Sequence, residues 1–187
     1  NCNHNLHLLA KGNVAKESYQ NAEDDTKQIT KIYNYDKNWN VVTIDDSASG
    51  ITTYEYDQYH QVTAVTDALG SQTAYTYDIY GNVASITDAN HNTTQYVYDS
   101  AGNLVKETNA LGEITSYTYD GSGKVKSMAR QADSASTAIT LATYAYDSYG
   151  NTKSVTDACG QTSTYEYDLM GNLTTVKDSE GAVVTKY

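Results

Sequence analysis

The side chains best suited to chemistry in this sequence are aspartates that recur at a fixed spacing. One series comprises Asp36, Asp57, Asp78, Asp99, Asp120, Asp147 and Asp168, and a second comprises Asp46, Asp67, Asp88, Asp157 and Asp178. Stacked carboxylates could bind Ca²⁺, which prefers hard oxygen ligands, or could act as acid–base pairs. An enzyme has one site, however, so a carboxylate repeated at a fixed period indicates architecture. We therefore predict no enzymatic activity.

Glycines at a constant distance give these aspartates a structural interpretation. Asp78 precedes Gly81 by three residues, and Asp99 precedes Gly102 in the same way. Asp at the first position and Gly at the fourth are typical of a type I turn, in which the carboxylate accepts the backbone N–H two residues on. The sequence thus favours turns over Ca²⁺ sites, and it predicts no metal and no cofactor.

Cys2, His4 and His7 form a second group that could bind a metal. Cysteine and histidine are the usual zinc ligands, but the sequence offers no fourth ligand at a matching spacing. Zinc is therefore the less favoured interpretation. The only other cysteine is Cys159, and two cysteines define no disulfide framework. We expect Cys159 to be a free thiol in a turn.

Four aromatic residues form the remaining candidate site: Trp39, Tyr59, Tyr80 and Tyr149. The three tyrosines occupy the third position of Asp-x-x-Gly turns or their variants. Exposed rings can stack on sugars, and tyrosine supplies a large contact area at low cost in side-chain entropy. The alternative is packing between neighbouring turns. We treat these four residues as a possible ligand-contact rim for glycans.

The composition narrows the classes of function. The 187 residues contain 12 Lys and Arg against 23 Asp and Glu, a net charge of −11. This balance argues against binding to nucleic acid or to an anionic membrane surface, because both require clusters of basic residues. No apolar run approaches the roughly 20 residues of a membrane-spanning helix. The 19 tyrosines, with no Phe and no Pro, indicate that a repeated position requires Tyr.

The repeat has a period of 21 residues. Tyr-x-Tyr-Asp recurs at this spacing with one exception of 27. A degenerate first unit lies at 6–14 and insertions lie near 15–30 and 130–139, so residues 1–187 are predicted to be one array of about eight repeats from a longer protein. The repeated structural residues are Tyr54, Tyr56, Asp57, Tyr75, Tyr77, Asp78, Gly81, Tyr96, Tyr98, Asp99, Gly102, Tyr117, Tyr119, Asp120, Tyr144, Tyr146, Asp147, Gly150, Tyr165, Tyr167, Asp168 and Gly171.

Between the two turns of each unit lie short segments rich in Thr, Val, Ile and Tyr, which is typical of β-strands. Each unit is therefore one hairpin, and we predict an all-β antiparallel meander of about 16 strands that rolls or spirals. Alternation places Tyr75 and Tyr77 on one face and Thr76 on the other, toward solvent. Val83 and Ile86 lie three apart and cannot share a face without a β-bulge.

Two motifs carry a resemblance to a known family. The segments Tyr165-Glu-Tyr167-Asp168-Leu-Met-Gly171-Asn172-Leu173 and Thr66-Asp67-Ala-Leu-Gly70 resemble the YD, or Rhs, repeats of bacterial toxins, toxin-complex B/C components, wall-associated proteins and teneurins. The resemblance implies hairpins that wind into a hollow shell, which in the toxins encloses a C-terminal effector. Many members have Arg where Asn82 and Asn103 stand here, and these changes leave the turns intact.

Two function classes follow from these observations. The leading hypothesis is a scaffold segment of a secreted or cell-surface bacterial protein, with neighbouring repeats and a C-terminal effector as partners. The alternative is an adhesion module that binds carbohydrate or a cell surface through its tyrosine-rich rim. The region that follows residue 187 in the parent protein would discriminate between them, since a variable C-terminal domain favours enclosure.

Overall fold

The computed structural model describes residues 5–8, 14–20 and 28–187. In these ranges the chain contains seventeen β-strands and no helix. Within each of the two compact units named below, consecutive strands pair antiparallel. The predicted all-β meander of hairpins is therefore confirmed. The chain divides into two compact units, Asn1–Thr93 and Thr94–Tyr187.

The first compact unit contains eight strands, joined by seven successive pairings from the first strand to the eighth. They are β1 (Asn5–Leu8), β2 (Val14–Gln20), β3 (Gln28–Tyr35), β4 (Val41–Asp46), β5 (Gly50–Tyr56), β6 (Val62–Thr66), β7 (Gln72–Tyr77) and β8 (Val83–Thr87). β9 (Thr93–Tyr98) has its first residue in this unit and the others in the second.

The second unit continues the same order, from β9 onward. Its further strands are β10 (Leu104–Thr108), β11 (Ile114–Tyr119), β12 (Val125–Gln131), β13 (Ile139–Tyr146), β14 (Thr152–Asp157), β15 (Thr162–Tyr167), β16 (Leu173–Lys177) and β17 (Val183–Lys186). The strands are four to eight residues long, as the short segments between turn signals predict.

Each regular 21-residue repeat has a first turn, which directly follows its two tyrosines, and a β-bulge follows this first turn. Tyr77 lies opposite Val83 and Thr76 lies opposite Ser85, so Ala84 is an extra residue in β8. The register shifts in the same way opposite Tyr35, Tyr56, Tyr98, Tyr119, Tyr146 and Tyr167. One inserted residue lets two positions three apart share a face, so the bulge resolves the conflict in the hydrophobic pattern of this strand.

The two tyrosines of each 21-residue repeat lie on one face of the sheet and are half-buried. Tyr75 lies opposite Ile86, and Tyr54 lies opposite Val65, so each ring has an apolar neighbour across the strand pair. The residue between the tyrosines points away and is exposed at Asn34, Glu55, Thr76, Val97, Thr118, Ala145 and Glu166. The predicted solvent face is confirmed in both units.

Complete burial is rare in the described residues. Only three hydrophobic residues there are buried, namely Ala64, Ile114 and Ala142. Small or β-branched side chains in the middle of a sheet are covered by their larger neighbours. Stability therefore derives from many half-buried contacts and hydrogen bonds between successive hairpins, as in repeat proteins whose units contact only their neighbours.

The two predicted insertions fall differently on the structure. Residues 130–139 span the end of β12, a loop and the start of β13. The loop is closed by the N–H of Ser136, which donates to the Asp133 carbonyl over 3.2 Å. The segment 15–30 includes residues 21–27, and the degenerate first unit at 6–14 includes residues 9–13. Both of these stretches lie outside the described residues.

Candidate functional site

The first turn of each 21-residue repeat projects two residues at its tip. The tips carry Tyr59, Tyr80 and Tyr149, whose exposed fractions are 73%, 78% and 86%. Backbone bonds hold these turns, as where the Gly81 N–H donates to the Asp78 carbonyl over 3.1 Å. The three tyrosines thus present most of their side chains to solvent on hydrogen-bonded turns.

Trp39 differs from the three tip tyrosines. It takes the fourth position of its turn, where other turns have glycine, and its φ of 70° is in the left-handed region. A bulky residue rarely adopts this conformation. Its ring centroid lies 6.1 Å from that of Tyr35 at an interplanar angle of 50°, and its exposed fraction is 39%. Trp39 therefore packs partly on its own hairpin.

Grooves lie between successive first turns within each unit. In the first unit, Tyr59 and Tyr80 border a groove of about 570 Å³ that Tyr77 also lines. In the second, Tyr149 and Met170 border a groove of about 830 Å³ that is lined by Tyr167. Each groove combines exposed tip side chains with the second tyrosine of the following repeat.

The aspartates of both series hold the turns. The Asp78 Oδ1 accepts the N–H of Tyr80 over 2.8 Å and that of Asn82 over 2.9 Å. The N–H two residues on donates in the same way to Asp36, Asp46, Asp57, Asp67, Asp88, Asp99, Asp120, Asp147, Asp157, Asp168 and Asp178. These bonds are the ones that the turn interpretation predicts.

An asparagine four residues after the aspartate completes the turn, and this role was not anticipated from the sequence. The Nδ2 of Asn82 donates to the Asp78 Oδ2 over 2.9 Å. Asn40, Asn92, Asn103, Asn151 and Asn172 bond their own aspartates in this way. The side-chain hydrogen bond from Asn82, followed by backbone N–H groups, holds the pKa of Asp78 below its ordinary value. The constant spacing of four residues between Asp and Asn is the sequence signal from which this side-chain hydrogen bond could have been predicted.

In six of the repeats the second tyrosine joins successive hairpins. The Tyr77 hydroxyl donates to the Val62 carbonyl over 2.7 Å. Tyr35, Tyr56, Tyr119, Tyr146 and Tyr167 donate to Val14, Val41, Leu104, Val125 and Thr152 over 2.5–3.0 Å. Burial raises the pKa of Tyr77, and the Asp57 carboxylate of the preceding repeat raises it further. The sequence predicted the tyrosine columns but not the destination of their hydroxyls.

His60, His91 and Cys159 belong to three different turns. His60 and His91 have φ values of 66° and 65°, so each takes a glycine position in its turn. Cys159 is a free, exposed thiol. Cys2 and His4 lie outside the described residues, as does the side chain of His7. Within residues 28–187 and the described parts of β1 and β2, no group of three or more His, Cys, Asp or Glu is placed to hold a metal ion.

No helix in the described part of the chain is long and apolar enough to cross a membrane. The polar groups that recur in the 21-residue repeats form hydrogen bonds within turns and between hairpins. The geometry therefore offers a joined array of hairpins, together with open grooves bordered by tip side chains.

Comparison with known proteins points to one family. The model of the RHS repeat matches residues 56–94, 80–114, 98–136 and 146–183, which together make up more than half of the chain. No curated protein matches the sequence.

Solved structures with a similar fold are distant in sequence. A crystal structure of TcdB2-TccC3-Cdc42 is similar with a TM-score of 0.51 at 13% identity, over 94% of this chain and 14% of that chain. A crystal structure of TcdB2-TccC3 is similar with a TM-score of 0.50 at 13% identity, over 93% of this chain and 14% of that one. The present chain thus spans about one-seventh of the length of these proteins, and the likeness concerns the fold alone.

Proposed function

Because the chain belongs to the RHS repeat family, we propose that it is a structural scaffold segment of a longer protein. The observation that carries this proposal is the use of the repeated side chains. The Asp78 and Asn82 side chains close a turn, and the Tyr77 hydroxyl bonds the preceding hairpin. Residues that serve each turn and joint alike extend an array rather than form one asymmetric catalytic site.

In the complete protein, the array forms part of a hollow β-shell that encloses or presents a C-terminal effector. Its partners are the neighbouring repeats and this effector, and the protein is secreted or held at the bacterial cell surface. Two observations support the proposal: the family assignment and the similar fold of TcdB2-TccC3, which has also been solved without a hypervariable C-terminal region.

Limited proteolysis of the complete protein tests enclosure. The region that follows the repeats should survive protease in the native protein and become cleavable when the joints are weakened. The double variant Tyr146→Phe and Tyr167→Phe removes two hydroxyls that join hairpins. Tyr149→Phe, at an exposed tip, is the matched control. Rapid cleavage of that region in the native protein, at the rate seen in the double variant, would contradict enclosure.

A second candidate function is adhesion to glycans through Trp39, Tyr59, Tyr80 and Tyr149. The observation that favours it is the exposure of the three tyrosine rings beside grooves of several hundred cubic ångströms. Rings held on rigid turns lose little entropy when a ligand stacks on them. Such binding would use the rim and leave the joints between hairpins unchanged.

A glycan array tests the adhesion function. Changing Tyr59, Tyr80 and Tyr149 together to Ala should abolish binding. The matched control changes Leu69 and Leu111 to Ala, which removes exposed apolar side chains from turns outside both grooves without removing aromatic rings. Glycan binding that survives the tyrosine changes, or that is lost equally in the control, would exclude the aromatic rim as the contact surface.

A further inference from the structure

One first turn of the second compact unit has a lysine where the other first turns of that unit have asparagine. Lys124 follows Gly123, and its Nζ lies 5.0 Å from the ring centroid of Tyr146. The same ammonium donates a hydrogen bond to the Gly150 carbonyl. Tyr146 and Gly150 belong to the next repeat, so the lysine crosses the groove between two turns. A cation over an aromatic face is attracted by the ring quadrupole.

In the next groove along the second compact unit, asparagine replaces the lysine of the turn, and Lys153 of β14 is among the lining residues. Asn151 takes the position of Lys124, and Tyr167 and Gly171 take those of Tyr146 and Gly150. The Asn151 Nδ2 donates to Oδ2 of Asp147 over 3.1 Å and so stays within its own turn. The groove here measures about 830 Å³, against about 590 Å³ for the groove that Lys124 lines.

The lining of this larger groove is matched to an alkylammonium group. Asp147, Glu166 and Asp168 line it together with a single lysine, Lys153, so the charge of its lining is net negative. Leu169 and Met170 stand at one tip with their side chains almost fully exposed. A lysine side chain buries its methylenes along apolar surface while its ammonium remains with polar groups. The walls and floor of the groove thus suit the two ends of such a side chain.

We propose that this groove binds a lysine side chain of a partner polypeptide. The residues that border the groove are Tyr149, Asn151, Tyr167, Asp168, Met170 and Gly171. The ammonium lies over the Tyr167 ring as Lys124 lies over Tyr146. The net charge of −11 favours a basic partner. A polypeptide lying across the tips would also cover Leu169 and Met170, which a small amine would leave exposed.

This inference does not depend on the proposed scaffold function, because it concerns one groove and not the joints of the array. The test uses the 187-residue chain with tyrosine ring signals followed by NMR. The probes are the blocked tripeptide N-acetyl-Gly-Lys-Gly-amide, its norleucine analogue, which has no ammonium, and butylammonium. The unmodified chain should bind the lysine peptide at one site and the norleucine peptide at least tenfold more weakly.

Two reciprocal variants locate the site. Asn151→Lys supplies the groove with an internal cation, as Lys124 does in its own turn, and should weaken peptide binding at least tenfold. Lys124→Asn opens the groove over Tyr146 and should create a second site, with new shifts of the Tyr146 ring. Circular dichroism verifies that each variant is folded, and Lys124→Asn carries the test alone if Asn151→Lys does not fold.

Several results would overturn the proposal. These are the absence of peptide binding, equal binding of the lysine and norleucine peptides, unchanged binding to folded Asn151→Lys, or a single site in Lys124→Asn. Butylammonium that binds as tightly as the peptide would overturn the assignment to a polypeptide partner.

Discussion

The hydroxyl of Tyr77 donates a hydrogen bond to the backbone carbonyl of Val62, 15 residues earlier in the chain, over 2.7 Å. The two residues belong to successive hairpins. The backbone pairing between β6 and β7 covers three residue pairs and ends at Ala64 and Ala74. Beyond that point the tyrosine side chain continues the connection. Phenylalanine lacks the hydroxyl that reaches this carbonyl, so the bond accounts for tyrosine at the second of the two tyrosine positions of the repeat.

Substitution of Gly102 measures the backbone strain of a side chain in this turn, because the added Cβ changes no packing contact. Its φ is 84°, and a Cβ added there would meet no atom within 4 Å. Gly102→Val should therefore lower the free energy of unfolding by about 1–2 kcal/mol through backbone strain alone. Gly102→Asn should cost less, since asparagine tolerates the left-handed region. Urea denaturation measures both, and equal stability of the valine variant and the parent would contradict the strain argument.

His91 offers the reverse substitution. It is exposed and holds a φ of 65° in a glycine position. His91→Gly removes the strain of a side chain in the left-handed region but increases the entropy of the unfolded chain. The first effect is the larger, so we expect a gain of about 0.5–1 kcal/mol in the free energy of unfolding. A melting temperature below that of the parent would show that the histidine is not strained.

Acid should destabilise the array through its turns. Hydrogen bonds from the asparagine side chains are the first cause that lowers the pKa of Asp78, Asp88, Asp99 and Asp168. A carboxyl whose folded pKa is lowered adds stability above its unfolded pKa of about 3.9, and this stability is lost as the pH falls through the folded pKa. The urea midpoint should therefore be constant at neutral pH and should fall below about pH 4.

A matched variant identifies the source of the acid effect. Asn82→Ala removes the largest cause of the lowered pKa of Asp78, so the acid decline of this variant should be smaller than that of the parent. Thr76→Ala, at an exposed position of the neighbouring strand, serves as the control and should keep the decline of the parent. A midpoint that does not change between pH 7 and pH 3 in the parent would refute the role of these carboxyls.

The parts of the structure that depend on local chemistry were predictable from the sequence. The turn from Asp78 to Gly81 follows from two residue types at a fixed spacing. The shared face of Tyr75 and Tyr77 follows from strand alternation. Repetition strengthened both inferences, because each copy of the motif tests the previous one. The sequence showed that Val83 and Ile86 cannot share a face without a bulge but did not decide between the two arrangements, and the register places the extra residue at Ala84.

Other features depend on how far neighbouring strands separate, which a sequence pattern does not show. The bond from Tyr77 to Val62 arises only because the ladder between their strands ends early. The groove position of Lys124 likewise requires the distance between two turns. Trp39 was grouped with the tip tyrosines by its aromatic type, yet it takes a glycine position and contacts Tyr35.

The most direct test of the hairpin joints is the free energy of unfolding of Tyr77→Phe, measured by urea denaturation. The variant keeps the half-buried ring and loses only the hydroxyl that bonds Val62, so a loss of about 1 kcal/mol is expected. Tyr80→Phe, whose ring is 78% exposed at a turn tip, is the matched control and should stay within about 0.5 kcal/mol of the parent. Equal stability of Tyr77→Phe, Tyr80→Phe and the parent would contradict the claim that tyrosine hydroxyls join the hairpins.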